Sequence, residues 1–201
     1  MRTTDTKKRL LEAAIDLFSE KGYDAVNMQS LADAVGIKQP SIYKHFKNKQ
    51  EILDTLLDNA EARFQENSLI DGIFENFDVD KLDEDGLVEL SQKHISFVLH
   101  DPLIKRMRKL LTIEQFRNER IRQLHICHDF VNTITFARRV IEVLIQSGKF
   151  KAVENQEYLA YLFIAPVSLQ LYRCDCQPEY EPTAQAFIEE HMRHMWRLCK
   201  A

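Results

Sequence analysis

The chain has 201 residues, of which 45% are hydrophobic and 29% charged, which is the composition of a globular protein with a sizeable core. Its five Gly and five Pro are too few for the many turns of a β-sandwich or barrel, so long helices are favoured. The net charge of −4 is uneven: residues 1–50 hold nine Lys and Arg against six Asp and Glu, and the remainder holds eighteen against twenty-five. The charge therefore permits a basic head on an acidic body.

The first predicted elements are two helices separated by a break. Apolar residues recur at helical spacing from Leu11 to Phe18 and predict an amphipathic helix over residues 5–21. Gly22 follows it, where a left-handed C-cap is expected. Asn27 can cap a second, short helix, which Gly36 ends.

A third and a fourth helix come next. Pro40 fits the first turn of a short helix in which Ile42 and Phe46 share one side. Asn48 and Glu51, three residues apart, are typical of a capping box that opens a longer helix. Two short helices with a Gly-containing turn, braced by a first helix, predict a helix-turn-helix.

The outward positions around the third helix are polar, basic and aromatic, where a buried helix would be apolar. The second short helix of a helix-turn-helix enters the major groove and presents its N-terminal residues to base edges. Gln39 can pair with an adenine edge, a contact that discriminates by about 1–3 kcal/mol. Lys47 and Lys49 follow the helix, where phosphates would pass. The outward residues at the entrance are Lys38, Gln39, Ser41, Tyr43 and Lys44.

The remainder of the chain predicts a second, all-helical part. It begins with an acidic connector formed by Asp78, Asp80, Asp83, Glu84 and Asp85. Helices are then predicted over about 87–100, 102–114, 119–147, 155–173 and 181–199. The fold class is therefore all-α, with about nine helices.

The last two predicted helices are apolar on more than one side. Such a helix must be covered all round, so one side could pack on the chain's own core and the other on a partner subunit. Pairing with symmetry mates would give a four-helix homodimer interface, and a monomeric core is the alternative. The residues assigned to the interface are Leu162, Leu169, Tyr172, Phe187, Ile188, Met192 and Met195.

The segment Ile37–Lys49, with the sequence IKQPSIYKHFKNK, resembles the DNA-binding domain of the TetR family of bacterial regulators, and the resemblance covers residues 5–60. It implies a helix-turn-helix DNA-binding domain over 1–47 and a helical ligand-binding and dimerisation domain over 48–201. Base contacts are implied for Gln29, Gln39 and Pro40. Phosphate contacts are implied for Asn27, Ser41, Tyr43, His45 and Lys49, and Lys44 could make either contact.

Two residues depart from the member of the family that this segment resembles most. Gln29 and Lys44 stand where that member has a guanine-reading arginine and a tryptophan, so we expect a different operator. The family also implies a ligand cavity in the body, lined by apolar residues with a few polar anchors, although plain core is the alternative for each residue. Its expected lining is His94, Phe97, Leu111, Phe116, His128, Phe130, Ile134, Tyr158, Tyr161 and Phe163.

We predict no cofactor and no metal site. His125 and His128 are spaced i, i+3 on one helical face, as are His191 and His194, but solvated or packed histidines explain them better. The cysteines form no dense disulfide framework, no signal peptide is evident and no apolar run reaches membrane length. We therefore expect a cytoplasmic protein.

The predicted function is a ligand-responsive transcriptional repressor, not an enzyme. It would bind a pseudo-palindromic double-stranded operator as a homodimer and be released by an unknown small-molecule effector. One alternative is an enzyme that uses His125 or His128 as a base, although no nucleophile–base set is legible. Another is an adaptor without ligand control.

Overall fold

The computed structural model of the chain describes residues 2–67 and 82–201. These residues are mostly helical and contain no β-strand, which confirms the all-α prediction within the described ranges. The helices are α1 (Arg2–Lys21), α2 (Met28–Val35), α3 (Gln39–Ile42), α4 (Lys49–Glu66), α5 (Glu84–His100), α6 (Pro102–Glu114), α7 (Glu119–Ile126), α8 (Asn132–Gln146), α9 (Gln156–Cys176) and α10 (Glu181–Cys199). Within those same ranges, none of the helices is both long and apolar enough to cross a bilayer.

The helix ends in the N-terminal part follow the local signals in the sequence. Gly22 and Gly36 adopt left-handed φ values of 79° and 72° at the ends of α1 and α2. The Asn27 side chain accepts a hydrogen bond from Ser30 N (2.9 Å) and caps α2. At the start of α4, Asn48 Oδ1 accepts from Glu51 N (2.8 Å). These caps confirm the predicted breaks between the first four helices.

Two predicted boundaries in the body differ from the structure. The α5 helix begins at Glu84 and not near residue 87, because Asp83 accepts from Gly86 N (2.9 Å) and caps it. Acidic residues in a first turn also interact favourably with the helix dipole. The predicted helix over 119–147 is α7 and α8, joined by a π-helical turn over Cys127–Val131 that the sequence did not indicate. Asp78 and Asp80 of the predicted connector lie outside the described residues.

The chain divides into two compact units. The first comprises Met1–Glu66 and Pro102–His125, and the second comprises Asn67–Asp101 and Ile126–Ala201. The first unit thus includes α4, α6 and most of α7 in addition to the helix-turn-helix. The predicted boundary after residue 47 divides the chain by expected function and not by packing, so it stays a prediction.

In the first unit, α1 packs against α2, α4 and α6. The core of this unit contains Phe18, Ile42 and Phe46, so one side of α3 packs against the surrounding helices. The Arg106 guanidinium on α6 donates to Asp16 (2.7 Å) and Glu12 (2.9 Å) on α1. These contacts make α6 part of the same packed body as the first four helices.

In the second unit, α9 packs against α5, α8 and α10, and α10 also packs against α5. Phe150 and Trp196 meet edge to face at 5.1 Å between ring centroids within its core. Lys151 N donates to Cys199 O (2.9 Å), which ties the end of α10 to the segment that follows α8. This unit carries the surface of α9 and α10 that the sequence assigns to a partner.

Candidate nucleic-acid interface

The α3 helix presents a hydrophilic side outward because its apolar side is anchored. Ser41 N donates to Lys38 O (2.8 Å), and His45 N and Phe46 N both donate to Ile42 O, so the helical turn continues past the end of α3. Ile42 and Phe46 are buried on one side of this segment. The remaining positions are consequently turned away from the core.

The predicted DNA-binding residues lie on the first unit, mostly at its surface. Tyr43 is 52% exposed, and Gln39 is partly exposed with its Nε2 3.5 Å from Tyr43 Oη. The other exposed members are Asn27, Gln29, Lys38, Pro40, Lys44 and Lys47, and the half-buried ones are Ser41, His45 and Lys49. A polar, basic and aromatic side of a helix-turn-helix is what a nucleic-acid groove requires.

Lys49 differs from the other lysines of the predicted interface because its ammonium is already engaged inside the unit. Its Nζ donates to Tyr23 O (2.9 Å) and Val26 O (2.8 Å) and lies 4.0 Å from the centroid of the Tyr23 ring. An ammonium has only three donors, and two of them bond to backbone carbonyls here. The position therefore does not support the predicted phosphate contact and indicates that Lys49 joins α4 to the turn between α1 and α2.

The same turn is held from its other side by a residue that the sequence analysis missed. Glu114 is 1% exposed, and its Oε1 accepts a hydrogen bond from Tyr23 N (2.9 Å). Burial raises the pKa of the Tyr23 phenol, and the Asp54 and Asp24 carboxylates raise it further, so the hydroxyl stays protonated and donates to Gln50 Oε1 (3.1 Å). The turn before α2 is thus fixed by α4 and α6 together.

A sequence signal for Glu114 does exist. Among the buried residues of α6, Ile104, Met107 and Leu111 follow one another at intervals of three and four, and Glu114 comes three residues later. It therefore lies in phase with the buried stripe. An acidic residue at such a position indicates a buried carboxylate with a hydrogen-bond partner.

The residues assigned to a ligand pocket are distributed over both units. Leu111 and Phe116 belong to the first unit, where Leu111 is buried in the core and Phe116 is 85% exposed. In the second unit Phe163 is buried within the core. The half-buried residues are His94, Phe97, His128 and Ile134, and the exposed ones are Phe130, Tyr158 and Tyr161. The pocket stays a prediction.

The residues assigned to the dimer interface divide into two groups. Ile188, Met192 and Met195 are buried in the core of the second unit, so the prediction that they face a partner needs correction. This side of α10 packs inward because α5 and α9 cover it. The other assigned residues are exposed: Leu162, Leu169 and Tyr172 on α9, and Phe187 on α10.

Comparison with known proteins identifies relatives of this chain. Residues 10–56 match the family model described as bacterial regulatory proteins, tetR family. The biofilm operon icaADBC negative transcriptional regulator IcaR of Staphylococcus epidermidis is 34% identical over an alignment of length 125, and the match covers 49% of this chain and 68% of IcaR. The class A tetracycline repressor from transposon 1721 of Escherichia coli is 43% identical over 58 residues. That match covers 29% of this chain and only 26% of the tetracycline repressor.

Solved structures extend the likeness to the whole fold. A TetR-family regulator from Mesorhizobium loti has a TM-score of 0.70 at 17% identity and is covered over 100% of both chains. The SmeT–triclosan complex has a TM-score of 0.66 at 16% identity, covering 98% of this chain and 92% of SmeT. Identities this low show a common fold only. Together with the match to IcaR and to the family model, they show that this chain belongs to the TetR family of bacterial transcriptional regulators.

Proposed function

We propose that the protein is a ligand-responsive repressor that binds a pseudo-palindromic DNA operator as a homodimer and leaves it when a small-molecule effector binds. The observation that carries this proposal is the outward hydrophilic side of α3, anchored from behind by Ile42 and Phe46. The relative IcaR is by its name a negative regulator, and SmeT has been solved with triclosan. The first supports repression, and the second supports control by a ligand, as properties of this chain.

In the proposed complex, α3 lies in the major groove. Gln39, at the first turn of the helix, reaches a base edge, while Tyr43 and Lys44 on the next turn approach the backbone. Lys47 is exposed beyond the helix and adds a phosphate contact. The segment from Lys38 to Lys49 contains no acidic residue, so its local field attracts DNA although the whole chain is negatively charged.

The second subunit is proposed to dock on α9 and α10. Leu169 is 65% and Tyr172 55% exposed on α9, and Phe187 is exposed on α10. Large apolar side chains exposed at a surface favour association with a complementary surface, and a two-fold pair is self-complementary. A homodimer would hold two recognition helices about 34–36 Å apart, one turn of the duplex.

Release by an effector follows from differential affinity. In one conformation of the dimer the spacing of the recognition helices does not match the operator. A small molecule that prefers this conformation weakens operator binding by the difference between its binding free energies for the two conformations. The second unit offers His94, His128 and Tyr158 as polar groups for such a ligand. The effector would therefore be a largely apolar molecule with a few polar groups.

Selection of bound duplexes from a random pool tests the proposal. We expect enrichment of an inverted repeat whose half-sites are centred about one helical turn apart. An apolar compound that releases the selected duplex would then identify the effector. Enrichment of no duplex, or of an asymmetric site without a second half, would contradict the proposed operator.

Gln39→Ala should relax base preference at one position of each half-site. Loss of a bidentate amide contact reduces discrimination there by about 1–3 kcal/mol, while the phosphate contacts are kept. Gel-shift titrations against operators changed at single positions measure this effect. Gln185→Ala, which removes an exposed amide from α10, is the matched control and should leave every preference unchanged. A uniform loss of affinity over all positions would assign Gln39 to the backbone instead.

Leu169→Glu should weaken the dimer. A charge placed among desolvated apolar groups should raise the dimer dissociation constant about 10- to 100-fold, at about 1.4 kcal/mol for each factor of ten. Sedimentation over a range of protein concentrations measures the shift. Gln123→Glu adds the same charge at an exposed position of α7 and should leave the dimer intact. Unchanged association of Leu169→Glu would place the interface elsewhere.

A further inference from the structure

An acidic residue interrupts the DNA-facing part of the chain. Asp33 is the one acidic residue among residues 27–49, a stretch that contains four lysines. It lies on α2, four residues after Gln29, so the two side chains share a face of the helix, and both are exposed. A carboxylate beside a phosphate backbone opposes binding. Its position therefore calls for a role that outweighs this repulsion.

The structure shows a contact that supplies such a role. Gln29 Nε2 donates a hydrogen bond to Asp33 Oδ1 at 2.6 Å. A free glutamine amide can rotate by half a turn and present either its oxygen or its two N–H donors to a base. Because the bond to a charged acceptor is stronger than a neutral one, Asp33 favours one of these two orientations. The carbonyl oxygen of Gln29 is then directed away from Asp33.

Oriented in this way, the pair recognises one class of base. The carbonyl oxygen of Gln29 and the carboxylate of Asp33 are both hydrogen-bond acceptors. In the major groove, adenine and cytosine present an exocyclic amino donor, whereas guanine O6 and thymine O4 are acceptors. The outward carbonyl oxygen of Gln29 would attract the amino group and repel the keto oxygen, and the nearby carboxylate adds to both effects.

We propose that Asp33 is a positioning residue that orients the amide of Gln29 and restricts the base it contacts to adenine or cytosine. The inference rests on the proposed DNA-binding function and deepens it, since it names the chemistry read by α2. It also explains why a basic surface keeps an acidic side chain. Asp33 lowers the affinity for DNA and increases the discrimination between bases.

Selection from a random duplex pool with the wild type, Asp33→Ala and Asp33→Asn tests the proposal. In the wild-type site, one position of each half-site should hold adenine or cytosine, at least about fivefold over guanine or thymine. Asp33→Ala should accept all four bases there and keep its other preferences, while its affinity for all duplexes rises because a negative charge is lost. Asp33→Asn keeps an acceptor oxygen and should be intermediate.

Two controls separate orientation from charge and from folding. Asp24→Ala removes an exposed carboxylate from the turn before α2 and should raise affinity without changing any base preference. In the Gln29→Ala background, Asp33→Ala should have no further effect on the preference. Urea unfolding should be unchanged by Asp33→Ala, since the residue is exposed.

The outcomes that overturn the proposal are distinct from failure of the proposed function. If the wild type enriches an operator and Asp33→Ala selects the same one with the same preferences, Asp33 does not position Gln29. Equal relaxation in Asp24→Ala would show a general charge effect and also overturn it. If the wild type enriches no duplex, DNA binding itself fails and this inference falls with it.

Discussion

Gly22→Ala should lower the free energy of unfolding by about 2–5 kcal/mol, because two penalties coincide at this position. The backbone φ of Gly22 is +79°, a left-handed conformation that L residues with a Cβ adopt at a cost of about 1–2 kcal/mol. A Cβ built there would also lie 2.9 Å from Glu114 Oε1. The two groups cannot both keep their places.

The carboxylate has little freedom to move aside. Glu114 is 1% exposed and accepts from Tyr23 N at 2.9 Å, so displacing it would leave a partly buried N–H without its partner. An unsatisfied buried donor costs about 1–3 kcal/mol. This second penalty distinguishes Gly22 from an ordinary helix-capping glycine.

Gly36→Ala is the matched control in the same unit. Its φ is +72°, but a Cβ there would meet no atom within 4 Å. Only the conformational cost of about 1–2 kcal/mol should appear. Urea unfolding of both variants, followed by helical circular dichroism, measures the difference. Equal losses in the two variants would show that Glu114 relaxes without cost.

The parts of the fold that the sequence predicts are those governed by neighbouring residues. Asn27 caps α2 through a residue three positions later, and Gly36 ends the same helix. Both signals act within one helical turn, so they can be recognised without the rest of the molecule. The outward side of α3 is equally local, since Ile42 and Phe46 define which side is buried.

The parts that the sequence did not predict depend on distant contacts. The Tyr23–Glu114 hydrogen bond joins residues that are 91 positions apart. The burial of Ile188 and Met192 depends on which side of α10 packs against α5. Because α10 carries apolar residues on more than one side, its sequence does not show which side is buried. The residue type indicates that such side chains are buried, but only the packing of the helices determines which element buries them.

Lys47 and Lys49 illustrate the same distinction, and we expect opposite results when each is replaced by methionine. Methionine keeps the apolar stem of lysine and removes the ammonium. Lys49→Met should lower the free energy of unfolding by about 3 kcal/mol, because each charged hydrogen bond contributes about 1.5 kcal/mol or more. The two bonds lost are those to Tyr23 O and Val26 O. Lys47 is exposed, so Lys47→Met should change stability by less than about 0.5 kcal/mol.

Operator binding should reverse this order. Each phosphate contact contributes about 0.9 to the slope of log Kobs against log salt concentration, so Lys47→Met should reduce the slope by about that amount. Lys49→Met should leave the slope unchanged under conditions where it is folded, since the ammonium that it removes is engaged with two backbone carbonyls. Anisotropy titrations at several salt concentrations, with urea unfolding of the same samples, separate the two roles. A reduced slope with unchanged stability for Lys49→Met would show that its ammonium leaves the turn to meet a phosphate, and that the turn before α2 does not depend on it.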